Sequence, residues 1–100
     1  MNRRKLKPVH PGEVLRLDFL DPLGITAYRL SKEIGITQQH LGRILKGSRG
    51  VSADVALRLA RFFGTSAKVW MGLQAQYDLD VAEGAAGQSI SKRVKPLSAA

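Results

Sequence analysis

The stretch that decides the fold runs Thr26-Ala27-Tyr28-Arg29-Leu30-Ser31-Lys32-Glu33-Ile34-Gly35-Ile36-Thr37-Gln38-Gln39-His40-Leu41-Gly42-Arg43-Ile44-Leu45-Lys46-Gly47. Two threonines each precede an apolar pattern of helical spacing. Ala27, Leu30 and Ile34 follow Thr26, while Leu41, Ile44 and Leu45 follow Thr37. A threonine hydroxyl in that place caps a helix by accepting from an amide of its first turn. Gly35 and Gly47 close the two runs, as residues that accept a left-handed backbone. Two short helices joined by a tight glycine turn make a helix-turn-helix unit, with Ser31 as the small residue where they cross.

The second helix of the unit has two chemically different faces. Leu41, Ile44 and Leu45 anchor it. At about 100° per residue, Gln39, Arg43 and Lys46 fall on the opposite side, and Gln38 sits on its exposed first turn. Glutamine can pair bidentately with adenine, and arginine with guanine, so Gln38, Gln39, Arg43 and Lys46 are the expected base-reading residues. Thr26 and the amide of Ala27 are placed for a phosphate, as are Thr37, His40 and the loop residue Arg49. Gly42 is costly inside a helix by about 1 kcal/mol relative to alanine. On the exposed side it either lets the backbone approach a base pair closely or is a weak position that the helix tolerates.

Outward from this unit the chain continues to read as helix. His10-Pro11-Gly12-Glu13 resembles a helix start, with Val14, Leu15, Leu17 and Phe19 as its apolar side. Pro22 is expected to end that helix, because it biases Asp21 away from helical geometry. Ser52 caps a fourth helix with Val55, Leu59, Phe62 and Phe63 in its stripe, and Gly64 stops it. Ser66 caps a fifth, containing Val69, Trp70, Leu73 and Tyr77. The expectation is an all-α, five-helix, lambda-repressor-like fold with no strand. A flexible basic arm is expected over residues 1–9, the domain over 10–83, and a disordered tail rich in Gly, Ala and Ser over 84–100.

Composition narrows the function. The chain has 100 residues, 16 Lys and Arg against 8 Asp and Glu, a net charge of +8 and no Cys. One small domain fits that length. Absence of Cys excludes disulfides and thiolate zinc sites and suits a cytoplasmic setting. No apolar run nears the roughly 20 residues of a membrane span, and no apolar segment follows the basic N-terminus as a signal peptide requires. Two His residues without a carboxylate cluster, and no Gly-rich phosphate loop, argue against an enzyme, a metal site or a cofactor. The charge is segregated into Arg3 to Lys7, Arg43 to Arg49 and Lys92 to Lys95, which suits a polyanionic partner. RNA or an anionic membrane would explain that charge but not the glutamine-rich helix face, so duplex DNA is the expected partner.

At these residues the chain resembles a known family. Gly35-Ile36-Thr37-Gln38-Gln39 followed by Leu41 is similar to the turn and recognition helix of XRE domains of the lambdoid-repressor type. His10-Pro11-Gly12-Glu13, Phe19-Leu20-Asp21-Pro22-Leu23-Gly24, Ala56-Leu57-Arg58-Leu59-Ala60, Gly64-Thr65-Ser66 with Trp70, and Leu73-Gln74 with Tyr77-Asp78-Leu79 resemble HigA antitoxins in order and spacing. The likeness covers residues 8–83 and departs at Gly42, Lys46 and Asp80. It implies a cytoplasmic homodimer that represses its own operon and binds a HigB toxin, a RelE-like mRNA endonuclease. Trp70, Leu73 and Tyr77 are the residues expected at the dimer interface, with core packing against the fourth helix the favoured alternative for Trp70. For the toxin the chain offers its basic termini, or the acidic groups at Asp78 to Glu83 and at Glu13, Asp18 and Asp21. Without that likeness the same residues fit a free-standing repressor with no toxin.

Overall fold

Four helix starts share one chemistry. Thr26, Thr37, Ser52 and Ser66 each hold an extended backbone and accept, through the side-chain hydroxyl, from the amide three residues on. The computed structural model describes residues 7–98, all helix and connection with no strand among them. The expected arm residues 1–6, with Arg3, Arg4 and Lys5, lie outside the described residues.

Helix α1 occupies residues 11–23 in three continuous parts: an α-turn over Pro11–Val14, a π-helical stretch over Leu15–Leu20 and a last turn over Asp21–Leu23. Then follow α2 (Ala27–Ile34), α3 (Gln38–Lys46), α4 (Ala53–Phe63) and α5 (Ala67–Arg93). Leu15, Leu30, Leu41, Ile44, Leu59 and Trp70 are fully buried and bring all five helices to one core.

Three expectations are corrected. Pro22 does not end α1, because the helix widens before it. Asp21 is helical and its amide donates five residues back, to the Arg16 carbonyl. That pairing relieves the collision between a proline ring and the carbonyl four residues earlier. Of the expected apolar side Leu15 is buried and Phe19 packs on the core, but Leu17 faces outward, 46% exposed, and Leu20 is buried in its place.

The third correction concerns the tail. Helix α5 passes the expected boundary at residue 83 and continues to Arg93. Ala82, Ala85 and Ala86 are strong helix formers, Gln76 donates to Asp80 at 2.9 Å, and Lys92 and Arg93 suit the negative end of the helix. Small residues that mimic a disordered composition are here helical. The helix gives the molecule its long dimension, 56 Å against 25 and 24 Å.

Gly12 seats α1 directly on α3, since a Cβ there would collide with the Ile44 carbonyl oxygen. Backbone cannot yield as a flexible side chain does, so Gly12→Ala is expected to destabilise by about 1–3 kcal/mol or more. Chemical denaturation measures it. An unchanged midpoint would contradict this seating.

Candidate nucleic-acid interface

The unit α2–turn–α3 is built from local hydrogen bonds. Gly35 adopts φ 74° and donates its amide to the Ser31 carbonyl, which also accepts from Ile36 at 3.1 Å. Ser31 is buried, as expected at the crossing, and its hydroxyl donates to the Tyr28 carbonyl of its own helix. Arg58 of α4 then fastens the turn. Its Nη1 donates to the Ile34 carbonyl at 2.7 Å and to that of Gly35 at 3.3 Å, while Nε pairs with Asp54 at 2.6 Å. These two carbonyls stand at the end of a helix, where no further turn supplies a donor.

Helix α3 has the two faces expected of it. Leu41 and Ile44 are fully buried, Leu45 is half-buried, and Gln38, Gln39, Arg43 and Lys46 are exposed. Thr37 Oγ1 accepts from the His40 amide at 3.0 Å, and Thr26 Oγ1 from the Arg29 amide at 3.0 Å. Thr26, Ala27 and Thr37 remain solvent-exposed at the starts of α2 and α3. Gly42 is half-buried with open space where a Cβ would stand, so nothing within the chain requires a glycine there.

The loop after α3 is tightly folded. Gly47 takes φ 82°, and the amides of Ser48 and Arg49 both donate to the Arg43 carbonyl, at 3.0 and 3.2 Å. Arg49 is exposed beside His40. Burial, with Arg49 and then Arg43 nearby, holds the His40 imidazole below its usual value of 6.5 against a smaller opposing effect of Asp54. These influences favour the neutral form of His40 and group it electrostatically with the two arginines.

Besides Arg58, sequence reasoning missed two further side chains that brace this surface. One is His10, buried against Gly47 and edge-on to the Tyr77 ring, with centroids 4.8 Å apart. Its Nδ1 accepts from the Gly12 amide at 2.8 Å, a capping role that the residue before a first-turn proline can signal. The other is Gln74, whose Oε1 accepts from the Val51 amide at 2.7 Å.

Burial lowers the His10 pKa below 6.5, outweighing the Arg49 backbone carbonyl and Asp78, which favour the imidazolium. The lowered folded value means that the unfolded chain binds the proton more readily. The contribution of His10 is thus complete above pH 6.5 and is lost as pH falls through the folded value. Thermal melts at pH 7.5 and 5.5 are expected to show a smaller acid loss for His10→Asn, which keeps a capping acceptor but does not titrate. Equal losses in both proteins would contradict this.

The expected dimer residues are corrected in part. Trp70 is fully buried in the chain's own core, donating Nε1–H to Thr65 Oγ1 at 2.9 Å and lying 5.2 Å from the Phe19 ring, so it has no surface for a partner. Leu73 and Tyr77 are half-buried, and Leu73 packs on that core. The exposed apolar groups of α5 are others, including Leu79 and Ile90. Among the described residues no helix is long and apolar enough to cross a membrane, and no cluster of His, Asp and Glu is arranged to hold a metal ion.

Comparison with known proteins agrees with this geometry. A helix-turn-helix family model matches residues 18–70. Virulence-associated protein I of Dichelobacter nodosus is 40% identical over 81 residues, which are 81% of this chain and 75% of that protein. Antitoxin HigA-1 of Vibrio cholerae is 33% identical over 79% of this chain and 74% of its own length. The structure of Pseudomonas aeruginosa antitoxin HigA with the higBA promoter superposes with a TM-score of 0.89 at 40% identity, covering 92% of this chain and all of that one.

Proposed function

Because the chain belongs to the helix-turn-helix family of the HigA antitoxins, we propose that it is a DNA-binding antitoxin that represses its own operon. The observation that carries the reading is α3 itself, sealed into the core by Leu41 and Ile44 and open to solvent through Gln38, Gln39, Arg43 and Lys46. In this reading those four side chains read base edges in the major groove, and Thr26, Ala27, Thr37, His40 and Arg49 meet phosphates. That a relative, Pseudomonas aeruginosa antitoxin HigA, was solved with the higBA promoter supports DNA binding.

Two copies would present two α3 helices about 34–36 Å apart, one DNA turn, to a palindromic operator. The homodimer is assigned to α5, where Leu79 and Ile90 stay exposed, and not to Trp70. A HigB-like toxin is the second partner, and its capture makes the role one of binding and not catalysis. Such a protein works in the bacterial cytoplasm on operator DNA.

Substitution separates base reading from phosphate contact. Arg43→Ala is expected to cost about 1–3 kcal/mol on the operator and to relax preference at one base pair. Arg49→Ala is expected to weaken all duplexes alike and to reduce the salt slope by about one unit. Titrations of operator and random duplex at several salt concentrations read both. Equal losses on the two duplexes for Arg43→Ala would overturn its base-reading role.

A further inference from the structure

The loop 47–51 joins the recognition helix to α4, and it is gripped by His10 ahead of α1 and by Gln74 of α5. Gln74 is central to this grip. Its Oε1 accepts from the Val51 amide at 2.7 Å, and its Nε2 donates to Asp78 Oδ1 at 2.9 Å. These partners fix the orientation of the amide. A backbone N–H can only donate and an ionised carboxylate can only accept, so the reversed amide would lose both bonds. The side chain also lies flat against Gly50, where a Cβ would stand 3.0 Å from its Cδ, Nε2 and Oε1.

Arg49 lies between these contacts and α3. Its own amide donates to the Arg43 carbonyl, its carbonyl faces the buried His10, and its neighbour Gly50 rests on Gln74. The backbone of Arg49 is thus held on both sides, by α3 and by α5, while its side chain stays exposed.

We propose that Gln74, oriented by Asp78, is a positioning residue for DNA binding, acting through the loop 47–51 to hold Arg49 where it meets a phosphate. The inference rests on the DNA-binding reading above and extends it to a residue that touches no DNA. It also makes the long helix part of the interface. A loop released from Gln74 samples more backbone states, and that freedom must be lost again on binding.

The test is a double-mutant cycle on full-length protein, using Gln74→Ala, Arg49→Ala and the double variant, titrated with a random duplex of fixed length at two or more salt concentrations. Arg49→Ala is expected to weaken binding about ten- to a hundredfold, as loss of one charged hydrogen bond does. Gln74→Ala is expected to weaken it about two- to fivefold and to flatten the salt slope in the same direction. In the Arg49→Ala background, Gln74→Ala is expected to have no further effect.

Additive losses, or full affinity in Gln74→Ala while Arg49→Ala is impaired, would overturn the positioning role and leave the DNA reading intact. An unimpaired Arg49→Ala would overturn the phosphate role itself, and this inference with it. Asp78→Ala guards against a folding artefact, because Asp78 is exposed and its loss frees the amide without opening the core. It is expected to reproduce the Gln74→Ala effect in smaller measure. Wild-type affinity and salt slope in Asp78→Ala would contradict the orienting role.

Discussion

Trp70→Ala is expected to remove about 3–5 kcal/mol of folding stability, a large part of the 5–15 kcal/mol that typical domains possess. The indole is fully buried beneath Phe19, and Phe19 in turn touches Phe63, so the cavity would open where α1, α4 and α5 meet. The loss includes the hydrogen bond from Nε1 to Thr65 Oγ1 at the start of α5. A domain of this size shifts in midpoint by roughly 4–8 °C per kcal/mol, so thermal melts resolve the effect easily. Melting at two protein concentrations separates core from interface. A core role lowers the midpoint at both concentrations, whereas an interface role would yield a folded monomer of undiminished stability.

Replacing Gln38, Gln39 and Arg43 together by alanine is expected to bring operator binding near the level of random DNA. Each bidentate pair discriminates by about 1–3 kcal/mol, and the whole gap between specific and non-specific binding is typically about 4–10 kcal/mol. Random-duplex affinity should fall only as one lost cation requires, reducing the salt slope by at most about one unit. The fold should survive, since all three side chains are exposed and such substitutions usually change stability within about 0.5 kcal/mol each. Operator preference retained by a folded triple variant would remove α3 from the recognition role.

What was legible in the sequence was local. The capping hydroxyls of Thr26, Thr37, Ser52 and Ser66 act on amides three residues away, and Gly35 ends its helix through its own backbone, so residue type and position suffice. The two faces of α3 follow from one period. Less legible was anything decided by packing at a distance. Trp70 and Tyr77 belong to the same apolar pattern on α5, yet only the arrival of Phe19 and His10 settles that one is core and the other half-buried. The π-helical stretch before Pro22 has no signature in residue spacing. Arg58 reaches Ile34 across 24 positions and Gln74 reaches Val51 across 23, so neither contact leaves a trace in local pattern. The helical course of residues 84–93 was obscured by composition, because alanine and glycine count alike toward low complexity but oppositely toward helix.

If α3 reads sequence, a duplex carrying the operator must outcompete one that does not. The most direct measurement is competition for the protein between a duplex from the promoter of its own gene and a shuffled duplex of equal length and composition, at near-physiological salt. The promoter duplex is expected to bind at least about a thousandfold more tightly, the lower end of the usual specificity ratio. Equal binding of the two duplexes, falling together as salt rises, would show that the positive charge alone draws DNA and would contradict the account.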